Sequence, residues 1–380
     1  MTATAALLST PLTALNIQLG GKMVPFAGYA MPVQFADGVL KEHLHTREAA
    51  GLFDVSHMGQ IILRPKSRRV EDAALALERL VPADVLGLKP GRQRYGIFTN
   101  QKGGILDDLM IANRGDHLFL VVNAACKAQD VAHLRAHLSD DCEIIELTDR
   151  ALIALQGPDA EVALAALAPE VAGMKFMDVA DVTLVGAACV VARAGYTGED
   201  GFEISVPAGR AEALAKALLG HPRVRPIGLG ARDSLRLESG LCLYGNDIDI
   251  GTTPIEASLE WAIQRVRCEG GIREAGFPGA WTILHQLKSG APRRRVGILP
   301  AGRTPVREGT PLFTPDDNRN PVGEITSGGF GPTLSAPVAM GYVLAEYSKP
   351  PTELIAEVRG KSYPVKVAPL PFITQRYKRK

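Results

Sequence analysis

Two adjacent carboxylates, Asp107 and Asp108, lie inside the apolar run 105–111. Successive side chains of a β-strand point to opposite faces, so one aspartate is expected to share a face with Ile105 and Leu109 and the other to face the opposite way. At least one carboxylate then enters apolar surroundings, where an unpaired charge is unfavourable. The two residues are therefore either part of a site or an edge-strand pair held by the amides of a turn.

Two further charged residues occupy positions that are hard to explain by packing. Glu203 interrupts a predicted strand between Phe202 and Ile204. Arg232 stands at the start of a predicted helix, where the helix dipole makes a cation unfavourable. Each residue could also belong to a structural ion pair, so both alternatives stay open at this point.

Several well-known catalytic motifs are incomplete or missing. The stretch "GLGARD" at 228–233 lacks the third glycine of a dinucleotide-binding fingerprint. His133 and His137 have helical spacing, but Leu134 stands where a zinc protease has glutamate. The sequence contains neither a G-x-S-x-G elbow nor a phosphate-binding loop. These patterns argue against dinucleotide binding, nucleotide hydrolysis and nucleophilic hydrolysis, and we expect no metal.

Composition narrows the class of protein. The chain has 380 residues, which favours two or three domains, and a formal net charge of +1, which predicts no attraction to nucleic acid or to an anionic membrane. No apolar run reaches the roughly 18 residues that span a membrane. The N-terminal stretch shows no targeting pattern, and the five cysteines are widely spaced and odd in number. We therefore expect a cytoplasmic protein with buried free thiols.

The pattern of predicted elements changes along the chain. Helical and strand patterns first mix without a regular βαβ order, which favours two α+β lobes. From about Arg293, short strands are separated by Gly, Pro, Asn and Asp, which is typical of a β-barrel or β-sandwich. The change falls within 270–292. We place one region at residues 1–280 and a β-domain at residues 281–380.

A set of motifs spread over nearly the whole chain carries a family resemblance. The sequence resembles the aminomethyltransferase family, the T proteins of the glycine cleavage system. The matching stretches include "GGKMVPFAGYAMPVQF", "HLHTREAAGLFDVSHMG", "FTNQKGGILDDLMI", "GYTGEDGFEISVP", "ARDSLRLESGLCLYGNDID" and "MGYVLAEYSKPPTELIAEVRGK". The resemblance implies an α+β fold of three domains in a clover-leaf: two intertwined α+β lobes and a C-terminal β-barrel around a central folate funnel.

The resemblance also implies site residues. The second acid of the "DDL" motif lines the folate site of the family, which points to Asp108 as the catalytic residue, with Asp107 as the lower-ranked candidate. Glu203 matches the glutamate that recognises the pterin, and Arg232 matches an arginine that contacts substrate. Further matches line or border the cavity: Met58, Tyr95, Asn123, Tyr196, Trp261 and Tyr377. Arg376 is a close alternative to Tyr377.

The implied activity is one-carbon transfer. In the family, an aminomethyl group on the dihydrolipoyl arm of the H protein reacts with tetrahydrofolate, giving 5,10-methylenetetrahydrofolate and ammonia. Such chemistry needs no metal and no nucleophilic side chain. A folate-dependent iron–sulfur assembly factor of the same fold is an alternative, although its Lys-Gly-Cys motif is replaced here by "RAGYTGEDG". A dimethylglycine- or sarcosine-oxidising enzyme needs a flavin domain for which 380 residues leave no room, and a non-enzymatic folate-binding protein is a third alternative.

Overall fold

A computed structural model describes residues 6–317 and 319–380. The first five residues of the N-terminal stretch, on which the expectation of no targeting segment partly rests, lie outside the described residues. None of the described helices has both the length and the apolar character that a membrane crossing requires.

The α-helices of the described chain are distributed over its first 290 residues. They are α1 (Thr13–Gln18), α2 (Gly38–Glu48), α3 (Val70–Leu77), α4 (Lys127–Leu138), α5 (Ala160–Ala165), α6 (Ala208–Leu219), α7 (Leu229–Glu238) and α8 (Ala280–Ser289).

The strands extend over most of the chain. They are β1 (Lys22–Phe26), β2 (Tyr29–Gln34), β3 (Ala50–Asp54), β4 (Gly59–Pro65), β5 (Arg92–Thr99), β6 (Ile105–Asn113), β7 (Leu118–Val122), β8 (Cys142–Glu146), β9 (Arg150–Gln156), β10 (Val179–Leu184), β11 (Ala187–Ala192), β12 (Gly201–Pro207), β13 (Val224–Pro226), β14 (Arg293–Pro300), β15 (Pro311–Phe313), β16 (Gly323–Gly331), β17 (Ala336–Leu344), β18 (Glu353–Val358) and β19 (Lys361–Ala368).

Two mixed α+β lobes exchange chain segments. One sheet has the strand order β5-β6-β7-β4-β8, and the other has the order β10-β11-β12-β9-β3-β13. Strand β3 therefore belongs to the second sheet although it precedes every strand of the first, which makes the lobes intertwined. The sheets also pack together, through residues such as Phe119 of the first and Val179 of the second.

Each lobe buries one face of its sheet against helices. In the six-stranded sheet, Phe202, Ile204 and Val206 alternate along β12 and enter the same apolar core. Helix α6 covers that core with residues spaced three and four apart, the spacing of one helical face: Ala211, Leu214, Ala215 and Leu218. In the five-stranded sheet, α3 and α4 cover the corresponding core.

The C-terminal part is a closed barrel. Its strands have the order β14-β17-β16-β15-β18-β19, and β14 pairs with β19 to complete the circle. Small and branched apolar residues such as Ile298, Ala339 and Val365 fill its interior. The predicted α+β class with a C-terminal β-barrel is confirmed. The boundary placed at residue 281 falls in α8, just before the barrel, and stays a prediction.

One local expectation about strand β6 is wrong. Between β5 and β6 the register passes from Phe98 opposite Asp107 to Thr99 opposite Ile105, so Leu106 is left without a partner as a β-bulge. The bulge reverses the alternation at its site. Ile105 therefore packs in a different cluster from Leu109, and it does not share the face that simple period-two alternation predicts.

Candidate functional site

The two aspartates of β6 separate as strand alternation requires. Asp107 lies opposite Phe98 and is completely buried, whereas Asp108 lies opposite Ile97 and is half-buried. The side-chain amide of Asn123, just after β7, donates to Asp107 Oδ1 and to Asp108 Oδ1, each at 2.8 Å. One amide group therefore holds both carboxylates, and only Asp108 retains contact with solvent.

The surroundings of Asp108 favour its protonated form. Burial first, and then the neighbouring carboxylate of Asp107, raise the pKa of Asp108 to about 7, while hydrogen bonds from Asn123 and Tyr95 act in the opposite direction. A carboxyl group with a pKa near neutrality exchanges its proton readily at physiological pH. Asp108 is thus suited to accept or relay a proton.

Glu203 occupies the face of β12 opposite the core residues. Its neighbours along the strand, Phe202 and Ile204, are completely buried in the apolar core, whereas Glu203 itself is half-buried. Burial raises the pKa of Glu203, and the positive charge of Arg232 partly offsets the rise. Within residues 6–317 and 319–380, no side chain or amide donates a hydrogen bond to its carboxylate, so its acceptor oxygens remain available for a ligand.

Arg232 lies in the first turn of α7 and points toward the same region. Its guanidinium stacks over the ring of Tyr196 at 4.7 Å, and its Nη1 is buried without a hydrogen-bond partner. Burial lowers the pKa of Arg232, and the charge of Glu203 opposes this. In the described part of the chain Arg232 forms no ion pair. Arg232 and Glu203 therefore influence each other electrostatically while both keep free hydrogen-bonding groups, which is unlike a structural ion pair.

Aromatic residues border these charged groups. Tyr95 lies on the Asp108 face of the sheet and stacks obliquely on Trp261, with 5.0 Å between ring centroids. Trp261 is 61% exposed, so it forms the rim and not the interior. The hydroxyl of Tyr196 donates to the carbonyl of Cys242, which fixes the ring under Arg232.

The C-terminal tail and the segment after β3 supply the remaining residues. Tyr377 stacks on Phe176 at 4.1 Å, and burial raises the pKa of its hydroxyl to about 12, with smaller contributions from the charges of Glu199 and Glu203. The alternative candidate, Arg376, instead forms an ion pair with Glu199. Met58 packs against the small core between β3, β9 and α7. The choice between Tyr377 and Arg376 as a folate contact stays a prediction.

The sequence motifs did not identify His57 as a site residue, although it directly precedes Met58. It is 3% exposed, and its Nδ1 has no hydrogen-bond partner. Burial, Arg232 and Lys127 lower the pKa of His57 to about 3, so the ring stays neutral at physiological pH. The influence of Arg232 places His57 next to the site. Its position beside Met58 in the "DVSHMG" stretch was the only sequence signal.

The described residues contain no group of three or more His, Cys, Asp or Glu side chains arranged to hold a metal ion. All five cysteines are free, as expected: Cys126, Cys142, Cys189 and Cys242 are buried and Cys268 is half-buried. The titratable groups that the site presents are the half-buried carboxyl groups of Asp108 and Glu203 and the half-buried guanidinium of Arg232.

Known proteins share this organisation over the whole length of the chain. Residues 12–267 match the family model of the GCVT N-terminal domain, and residues 293–373 match that of the glycine cleavage T-protein C-terminal barrel domain. The mitochondrial aminomethyltransferase of Dictyostelium discoideum is 44% identical over 98% of this chain and 94% of its own. The human mitochondrial aminomethyltransferase is also 44% identical, over 97% of this chain and 90% of its own. The crystal structure of glycine cleavage system aminomethyltransferase T from Bartonella henselae superposes with a TM-score of 0.91, at 44% identity, over 98% of this chain and 100% of that one.

Proposed function

The chain belongs to the glycine cleavage T-protein family and is an aminomethyltransferase, and on this premise we propose which substrates it uses and how its residues act on them. The donor is an aminomethyl group on the dihydrolipoyl arm of an H protein. The acceptor is tetrahydrofolate. The products are 5,10-methylenetetrahydrofolate, ammonia and the reduced carrier arm.

One observation carries this proposal: Arg232 stacks on Tyr196 and interacts with the charge of Glu203, and Asp108 acts electrostatically on the same Tyr196. Three half-buried charged groups from both lobes are thus grouped about one aromatic ring. The edge of a pterin presents adjacent N–H donors, and a carboxylate can accept two of them in one plane. Glu203, whose oxygens accept no hydrogen bond in the described chain, fits that edge. Arg232, whose side chain is half-buried and forms no ion pair in the described chain, donates to the substrate from its guanidinium.

The reaction transfers one carbon without oxidation or reduction. The carbon exchanges its bonds to sulfur and to the amino nitrogen for two bonds to folate nitrogens. The two protons leaving the folate nitrogens balance those gained by the ammonia and by the thiol of the carrier arm. A carboxylate beside the attacking nitrogen can orient it, stabilise the positive charge that develops, and accept or relay a proton. Asp108 has the position and the near-neutral pKa for this role.

The remaining candidates support binding. Tyr196 forms the platform beneath Arg232, Asn123 orients Asp108, and Tyr95 borders Asp108. Met58 and Tyr377 are assigned to the same site by the family resemblance. Trp261, exposed at the rim next to Tyr95, is placed to meet the entering carrier arm.

A turnover assay tests the proposal. The full chain is mixed with aminomethyl-loaded H protein and tetrahydrofolate, and ammonia and 5,10-methylenetetrahydrofolate are measured together. We expect both products in equal amounts, and neither without folate. A chain that binds folate but releases neither product would be a non-enzymatic folate-binding protein and would refute the proposal.

The cellular location is a separate proposal. We propose the cytoplasm, because all five cysteines are free, which fits a reducing compartment. The relatives named above carry mitochondrial names, so imaging of the tagged full-length protein in its own cell is the appropriate test.

A further inference from the structure

A third acidic residue, Asp130, lies close to the pair formed by Asp107 and the catalytic candidate Asp108. Asp130, in the first turn of α4, is 1% exposed, and its Oδ2 has no hydrogen-bond partner. Burial, and then the neighbouring Asp107, which is itself completely buried, raise the pKa of Asp130. No cation forms an ion pair with either residue in the described chain. Two buried carboxyl groups in contact without a cation cannot both be ionised without a large penalty.

The hydrogen bonds around Asp107 show which of the two carries the charge. Asp107 Oδ2 accepts from the backbone N–H of Asn123 at 3.1 Å, and Asp107 Oδ1 accepts from the side-chain amide of Asn123 at 2.8 Å. Both bonds favour an ionised Asp107. Asp130 receives no such donor, so the proton belongs to Asp130, which can then donate to Asp107.

A continuous chain of hydrogen bonds therefore leads from the core of the lobe to the site. With its proton on the otherwise unpartnered Oδ2, Asp130 donates to the neighbouring Asp107. Asp107 accepts from the amide of Asn123, and the same amide donates its other hydrogen to Asp108 Oδ1 at 2.8 Å. A wrongly oriented Asn123 would present its carbonyl oxygen to the carboxylates. A charged Asp107 prevents this, because only the NH2 group of the amide can donate to it.

We propose that Asp130 is a positioning residue that stays protonated, keeps Asp107 ionised, and through Asn123 fixes both the orientation and the proton affinity of Asp108. The inference rests on the proposed function of Asp108 and deepens it. It also assigns different tasks to the two adjacent aspartates: Asp108 meets the substrate, and Asp107 sets its properties.

The electrostatics of the site agree with this assignment. The pKa of Asp130 is raised to about 10 by burial and by Asp107, and the charge of Asp107 contributes to raising the pKa of Asp108 to about 7. The titratable groups that face Asp108 or Asp130 from the surrounding elements are Tyr95, Asp107, Cys126, Tyr196, Cys242 and Tyr244. The pKa of each tyrosine and cysteine in this set is raised, so these side chains are neutral at physiological pH. Among these groups, Asp107 is therefore the one whose charge acts on Asp108.

Two substitutions separate hydrogen bonding from packing. In Asp130→Asn the side chain keeps its shape and still donates to Asp107. In Asp130→Leu the volume is similar, but the donor is lost and Asp107 is driven to take up a proton. The measurement is kcat against pH for both variants and the wild type, in the turnover assay with loaded H protein.

We expect kcat of Asp130→Asn to stay within about threefold of the wild-type value. The acid limb of its pH profile, where kcat falls as the pH drops, should stay near pH 7, because the side-chain donor to Asp107 and the charge on Asp107 persist. Asp130→Leu should lower kcat by about tenfold or more, as misplacement of a catalytic group does, and should move the acid limb to lower pH. An unchanged acid limb in Asp130→Leu, or equal damage in both variants, would overturn the proposal.

Infrared spectroscopy gives a readout that does not depend on activity or on the folding of the leucine variant. At about pH 8 Asp108 is ionised while Asp130 is still protonated. The difference spectrum between wild type and Asp130→Asn should then contain the carbonyl band of a carboxylic acid, and its absence would overturn the inference. Failure of the proposed function is recognised separately, since wild-type protein would then show no turnover while the infrared result still decides the state of Asp130.

Discussion

Replacing Glu203 by glutamine tests how the site recognises folate. Glu203→Gln preserves the size of the side chain but exchanges two acceptor oxygens for one acceptor and one donor. The carboxylate accepts no hydrogen bond in the described chain, so the substitution removes nothing that the protein itself uses. A pterin edge would lose one of its two charge-assisted hydrogen bonds, and the other would become neutral.

The expected loss of binding free energy follows from typical hydrogen-bond energies. Hydrogen bonds to a charged group contribute about 1.5–3 kcal/mol each, and neutral ones about 0.5–1.5 kcal/mol. Exchanging two charged bonds for one neutral bond therefore weakens binding by about 2.5–4.5 kcal/mol, or about 60- to 1,600-fold in Kd. Thermal stability should stay equal or rise, because an unpaired, half-buried carboxylate disfavours the folded state.

Titration calorimetry with tetrahydrofolate measures the change in Kd, and thermal unfolding measures stability. Glu143→Gln is a matched control, since Glu143 lies in an exposed ion pair with Arg64 away from the site, and its Kd should equal that of the wild type. Unchanged affinity in Glu203→Gln together with a lower Tm would show that Glu203 is a structural residue and would refute this reasoning.

Three further predictions follow from the same geometry. Asp108→Asn should lower kcat by about 100-fold or more while weakening folate binding much less, and wild-type kcat should fall as the pH drops below about 7, because the carboxylate is then protonated; a flat profile would contradict the proposed role. On helix α7, Arg232→Met should weaken folate binding without lowering Tm. Arg236→Met, by contrast, should destabilise the fold by about 3–5 kcal/mol, because it breaks the buried ion pair with Asp247. Equal Tm losses in the two variants would argue against a ligand for Arg232. The pKa of Asp130 is raised, so its stabilising contribution is present below its usual pKa and is lost as the pH rises through about 10. The Tm of Asp130→Asn relative to wild type should therefore increase between acidic and alkaline pH. A constant difference in Tm would show that Asp130 titrates normally.

Much of the site could be predicted because its residues interrupt apolar patterns. Asp108 and Glu203 stand out in strands whose other residues are apolar, and family resemblance assigned them roles. Strand alternation also separated Asp107 from Asp108 correctly, since this depends only on the geometry of neighbouring residues. The β-bulge at Leu106 could not be predicted, because it depends on how β5 and β6 pair and leaves no signal in the sequence.

Long-range contacts set the limit of sequence reasoning. Asp130 is spaced like any other residue of α4, and only the packing of that helix against β6 brings it to Asp107. Likewise, the ion pair between Arg376 and Glu199 depends on the path of the C-terminal tail, for which the sequence has no signal.

The central claim is that a folate sits between Glu203 and Asp108, and a crystal structure of the full chain with bound tetrahydrofolate tests it most directly. We predict that the carboxylate of Glu203 accepts two hydrogen bonds from the pterin edge, and that the carboxylate of Asp108 lies within hydrogen-bonding distance of a reacting folate nitrogen. A folate bound elsewhere, with both carboxylates free of ligand, would contradict the account.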